Sequence, residues 1–87
     1  MFKFNIIKIS ALYECRIIGT YQHHNDACEA LLYFINKNYK EDKTNYKVYN
    51  ESKDKYSVYE VGYFGKYFNS MYYIIEFDDS NNSYIED

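Results

Sequence analysis

The sequence predicts an α+β domain: an antiparallel sheet of four or five strands carrying one helix on one face, in the order β-β-α-β-β-β. Three observations predict it. One stretch alone has the apolar spacing of an amphipathic helix, several others alternate with a period of two, and 87 residues are enough for one core and too few for two.

The elements follow in chain order. Residues 2 to 9 are rich in Phe and Ile, and Tyr13, Cys15 and Ile17 alternate with Glu14 and Arg16. This reads as one long bent strand or a tight hairpin, ended by Gly19 and Thr20. Ala27, Ala30, Leu31, Phe34 and Ile35 then fall at the i, i+3, i+4, i+7, i+8 spacing of one helix face, which predicts a helix over residues 26 to 37. Asn25 or Asp26 is placed to cap its start, with Glu29 three residues after Asp26, and Lys37 and Asn38 suit its end.

Residues 39 to 45 are polar and read as a loop. Tyr46, Val48 and Tyr49 begin a strand, residues 50 to 55 form a charged turn, and Ser57, Tyr59, Val61 and Tyr63 alternate with Val58, Glu60 and Gly62 in the returning strand. Residues 63 to 70 read as an aromatic-rich connection. In a last strand, Met71, Tyr73, Ile75 and Phe77 take one face and Tyr72, Ile74 and Glu76 the other. The domain is thus expected to span residues 1 to 77, with residues 78 to 87, acidic and rich in Asn and Ser, as a disordered tail.

Composition narrows the function classes. The two cysteines, Cys15 and Cys28, are too few for a disulfide scaffold and are expected to be reduced. Lys8 interrupts the N-terminal apolar run, no small-residue cleavage site follows, and no stretch approaches the ~20 apolar residues of a membrane span, so a cytoplasmic protein is expected with no membrane partner. A net charge of −3 with Arg16 as the one arginine weighs against nucleic acid as a partner. Thirteen tyrosines and six phenylalanines stand out, with no tryptophan or proline. Tyr, Phe, Ile, Lys and Asn share AT-rich codons, and mutational bias is the alternative source of that aromatic content.

Several residue groups invite a chemical reading. His23, His24 and Cys28, with Cys15 upstream, carry zinc-ligand chemistry at a spacing that fits no established pattern; a loop histidine pair beside a buried cysteine is the simpler account. The same residues would make a thiol nucleophile only with a lowered thiol pKa and a third group orienting the base. The segment from Gly62 to Lys66 lacks the spacing and the Ser/Thr of a phosphate loop, and residues 78 to 82 lack the glycine and glutamate of a calcium loop. No cofactor and no catalytic residue is assigned.

The tyrosines carry the remaining signal. With Tyr46, Tyr49, Tyr56, Tyr59, Tyr63, Tyr72 and Tyr73 on three neighbouring strands and one helix to cover one face, some rings must lie on the uncovered face. Tyrosine buries much area at low entropic cost and is enriched where proteins meet.

The run from Ser57 to Tyr67, SVYEVGYFGKY, leading into YYIIEFD at residues 72 to 78, resembles small uncharacterised proteins of AT-rich giant DNA viruses of the mimivirus type. That resemblance covers about the C-terminal third and transfers no catalytic residue. It implies a viral protein made in infected host cytoplasm, packaged in the virion or directed at the host; an AT-rich bacterium, its phage or a protist gives similar composition.

The function expected from the sequence is a non-enzymatic protein–protein interaction module, a homodimer that also meets a host or viral protein, working through Tyr46, Tyr59, Tyr63, Tyr72 and Tyr73 on a sheet face or edge. Two alternatives remain. One is a single-stranded nucleic-acid binder that stacks bases on tyrosine, with Lys47, Lys53, Lys55 and Lys66 meeting phosphates. The other is a small zinc protein or thiol enzyme centred on His23, His24 and Cys28.

Overall fold

A computed structural model of the chain describes residues 2–39 and 45–78. Its elements are β1 (Phe2–Ser10), β2 (Cys15–Tyr21), α1 (His24–Asn38), β3 (Tyr46–Ser52), β4 (Lys55–Gly62) and β5 (Gly65–Asp78). They form one antiparallel five-stranded sheet in the order β2-β1-β5-β4-β3, with α1 packed against it. The α+β class and the element order are those the sequence predicts. Of residues 78–87, read as a disordered tail, Asp78 instead ends β5 opposite Phe2, because the β1–β5 ladder runs one residue further than the alternation suggested, and 79–87 lie outside the described residues.

The helix buries Ala27, Leu31 and Ile35, with Ala30 and Phe34 packed beside them. It begins earlier than expected. His23 holds the extended N-cap backbone and makes no side-chain cap, so neither Asn25 nor Asp26 caps it, although Asp26 still supplies a negative charge to the first turn. At the other end the Asn38 side-chain amide donates to the Phe34 carbonyl at 2.8 Å, and Tyr39 follows as C-cap.

The N-terminal strand pair is a hairpin. Its turn holds Tyr13 at φ +62°, a left-handed conformation that costs a non-glycine residue about 1 kcal/mol or more. Tyr13 therefore belongs to the turn and not to the alternating strand. Gly19 and Thr20 do not end β2: Ile18 is taken up as a bulge, Gly19 and Thr20 pair with Ile6 and Asn5, and the strand runs on to Tyr21.

The two later turns are shorter than the sequence suggested. Lys53 and Asp54 alone separate β3 from β4, and Tyr63 and Phe64 alone separate β4 from β5. Gly65, at φ +136°, supplies the backbone that so tight a turn needs. Residues 65 to 70, read as a connection, are the first half of a 14-residue strand with a register shift opposite Val58 and Tyr59. Aromatic residues packed without alternation look like a loop in sequence; a bulge restores their pairing in space.

The core lies between α1 and one sheet face, built on Ile6, Leu31, Ile35, Tyr56, Val58 and Tyr72. Tyr72 is fully buried, and its hydroxyl lies 2.5 Å from that of Tyr39. That bond lets a polar ring atom sit inside the core without an unsatisfied group. The other face of the sheet has no helix among the described residues.

Candidate functional site

Strand alternation and register fix what the open face displays. Because Ile6, Tyr56, Val58 and Tyr72 point to the helix, their strand neighbours point away. On β5 these are Met71, Tyr73, Ile75 and Phe77. Ile7 lies opposite both Tyr73 and Ile17, and Ile9 opposite both Met71 and Cys15. Ile7 is only 7% exposed although no helix covers it. Tyr73 and Ile17 flank it in register, so the β2-β1-β5 half of the open face has a small apolar centre of its own. Ile17 and Ile75 border that centre and remain 59% and 42% exposed.

The β5-β4-β3 half differs in chemistry. Tyr59 stands between Tyr49 and Phe68 in an edge-to-face row, with ring centres 5.5 and 5.8 Å apart. The Lys66 ammonium donates to the Tyr49 hydroxyl at 2.5 Å and lies 5.0 Å from the centre of the same ring. Those two distances together place the ammonium at the phenol end and not over the ring face. The hydrogen bond from Lys66 to Tyr49 raises the lysine above its ordinary range, so its charge is present at neutral pH. Glu51 accepts from the Ser57 hydroxyl at 2.5 Å and lies 3.7 Å from the Lys55 ammonium. Tyr49, Glu51, Ser57, Tyr59 and Lys66 together line a shallow groove of about 560 Å³.

Charge is unevenly placed along the chain. Segment 40–44 balances Lys40 and Lys43 against Glu41 and Asp42, while residues 79–87 hold Asp79, Glu86 and Asp87 with no lysine or arginine. The net charge of −3 therefore belongs entirely to residues 79–87, and the described residues sum to zero. Among the described residues, strand alternation puts Lys3, Lys47, Lys55 and Lys66 on the open face and, of the carboxylates, Glu51.

The tyrosines singled out in the sequence divide between places. Tyr59 and Tyr73 are on the open face, while Tyr63 is 96% exposed at the β4–β5 turn beside Phe64. Tyr46 and Tyr72 are on the helix side, where Tyr46 meets the Tyr39 ring and Tyr72 is 0% exposed. Tyr72 is thus a core residue with no surface to offer a partner. Ile7, Ile17, Tyr49 and Phe68 were not among the expected interaction residues. Alternation signalled Tyr49; Phe68 was hidden because the bulge reverses its face relative to the rest of β5.

The histidine–cysteine group comes together only in part. His24 and Cys28 are one helical turn apart, with the thiol sulfur 3.7 Å from both ring nitrogens of His24. Equal distances put the sulfur on the plane midway between the two nitrogens and not in line with either N–H. No spacing or motif signals the third member, Asp54, whose carboxylate lies 3.7 Å from His24 Nε2. Burial raises the Cys28 thiol pKa and the Asp54 charge raises it further, the reverse of what a nucleophile needs. His23 is exposed at the helix N-cap and Cys15 begins β2. Among the described residues, no group of three or more His, Cys, Asp or Glu side chains is placed to hold a metal ion.

Compared with family models, curated proteins and solved structures, the chain matches none. The functional reading accordingly rests on the chemistry of the open face. No helix among the described residues is long and apolar enough to cross a membrane.

Proposed function

We propose that this protein is a protein–protein interaction module that self-associates by packing the β2-β1-β5 half of its open face against the same half of a second copy. The observation that carries this reading is Ile7, buried to 7% exposure on a face with no helix among the described residues, with Ile17 and Ile75 bordering it at 59% and 42% exposure. A sheet with one covered face is completed by a second layer, and two-fold pairing of identical patches is the commonest way to supply one.

Magnitude bounds the strength of such a dimer. Three strands of about seven residues span a planar footprint of roughly 14 by 24 Å from ordinary strand spacing and rise. Even with side-chain relief, that is at the low end beside the ~800 Å² per partner of a standard interface. The association is therefore concentration-dependent, of the transient kind. The expected setting is a cytoplasm in which the cysteines stay reduced, and the resemblance to giant-virus proteins implies a host or viral protein as the further partner.

The test is molar mass by light scattering over a concentration series, for the native chain and for Ile17→Ser with Ile75→Ser. Both positions are exposed, so the fold tolerates the change. A mass rising toward the dimer, and lost in the variant, supports the proposal.

A further inference from the structure

The β5-β4-β3 half of the open face has a different chemistry and asks for a different occupant. It pairs an aromatic row, Tyr49, Tyr59 and Phe68, with three ammonium groups, Lys47, Lys55 and Lys66, on the same side of the sheet. We propose that this half binds short single-stranded nucleic acid, with bases stacking on Tyr49 and Tyr59 and phosphates meeting Lys47, Lys55 and Lys66.

Charge complementarity chooses this occupant over others. An apolar protein surface laid here would strip water from the Lys47 and Lys66 ammonium groups without returning a counter-charge, Lys55 having one in Glu51. An acidic peptide would satisfy the lysines and leave the rings uncovered. A single strand supplies flat apolar bases and regularly spaced anions together, and an open sheet bearing aromatic rings presents both at once.

The chain's overall acidity is no obstacle, since the −3 lies wholly in residues 79–87 and the described residues are neutral. Among the described residues Glu51 is the one carboxylate at the groove; it accepts from the Ser57 hydroxyl, and its 3.7 Å pair with Lys55 is half-exposed and leaves that ammonium open to a phosphate. Because Lys66 contacts Tyr49 at the phenol end, its ammonium leaves the flat of the ring to a base and sits where a flanking phosphate would pass. A groove of about 560 Å³ is ample for a nucleotide unit, within the roughly 300–1,000 Å³ of ordinary ligand sites. The site does not depend on self-association, which uses the other half of the face.

The test is fluorescence anisotropy of a fluorescein-labelled oligonucleotide of roughly ten nucleotides, as single-stranded DNA, as single-stranded RNA and as the DNA duplex. Saturable binding of a single strand in preference to the duplex is expected. With three phosphate contacts, affinity should fall about 20-fold between about 50 and 200 mM salt. Lys47→Ala, at an exposed position, should flatten that salt dependence by about a third. Tyr59→Leu should weaken binding by roughly 5- to 100-fold, the effect of losing one stacked base, with circular dichroism confirming that the variant is folded. The self-association variant Ile17→Ser with Ile75→Ser should bind as the native chain does. Absence of saturable binding at about 50 mM salt, equal binding of the duplex, or binding unchanged by both Lys47→Ala and Tyr59→Leu would overturn the proposal.

Discussion

The phenolic oxygens of Tyr39 and Tyr72 lie 2.5 Å apart, joining the residue after the helix to the middle of β5. The contact fastens the helix end to the sheet and satisfies the one polar atom of a fully buried ring. Tyr72→Phe should lower stability by about 1 kcal/mol in urea unfolding, and Tyr39→Phe by a similar amount. The double variant should cost little more than either alone, because both remove one bond. Burial, and then the bond to Tyr72, raise the Tyr39 pKa, so in a spectrophotometric titration Tyr39 should ionise after the exposed tyrosines.

Asp54 ties the β3–β4 turn to two other elements. The Ser52 hydroxyl donates to its carboxylate at 2.6 Å, His24 stands 3.7 Å away, and its backbone carbonyl accepts from the Ile74 amide at 3.0 Å. The Ser52 bond, with smaller help from the backbone and His24, lowers the carboxyl pKa. A depressed folded-state pKa gives stability that is complete above the unfolded value and is lost as pH falls through the folded one. Asp54→Asn should therefore destabilise the domain above about pH 5, and the difference from the native chain should vanish in more acidic solution. Denaturation midpoints across that range provide the check.

Tyr13 occupies a left-handed backbone position while 88% exposed, so its ring offsets little of the strain. Tyr13→Gly should stabilise the domain by about 1 kcal/mol by removing the Cβ clash. A rise in melting temperature would show it.

The two thiols should differ in reactivity. Cys15 is exposed on the edge strand, whereas Cys28 is half-buried and its pKa is raised by burial and by Asp54. A thiol-directed reagent at neutral pH should modify Cys15 first, with Cys28 following at a rate set by its small thiolate fraction. Faster labelling of Cys28 would show that His24 activates it after all.

These residues also show what could be read before the fold was known. Local patterns carried most of the architecture: the helical spacing of Ala27, Leu31 and Ile35, and the alternation that sets Met71 and Tyr73 on opposite sides from Tyr72 and Ile74. Bulges were not legible, because one extra residue inverts a face without changing composition, as Ile18 does in β2 and as happens between Phe68 and Ser70 in β5. The same blindness hid Phe68 from the site. Tyr72 and Tyr59 look alike in the sequence, and only the position of the helix assigns one to the core and the other to the open face. Net charge is a sum over the chain, and its position along the chain, with the excess at Asp79, Glu86 and Asp87, is a separate reading of the same sequence.

If the apolar half of the open face joins two copies, the molar mass in solution must rise with concentration. Size exclusion with light scattering, over a concentration series, should show the native chain moving from 10.6 kDa toward twice that mass, and Ile17→Ser with Ile75→Ser remaining at 10.6 kDa with an unchanged circular dichroism spectrum. A native chain that stays monomeric at every concentration, or a variant that associates as the native chain does, would contradict it.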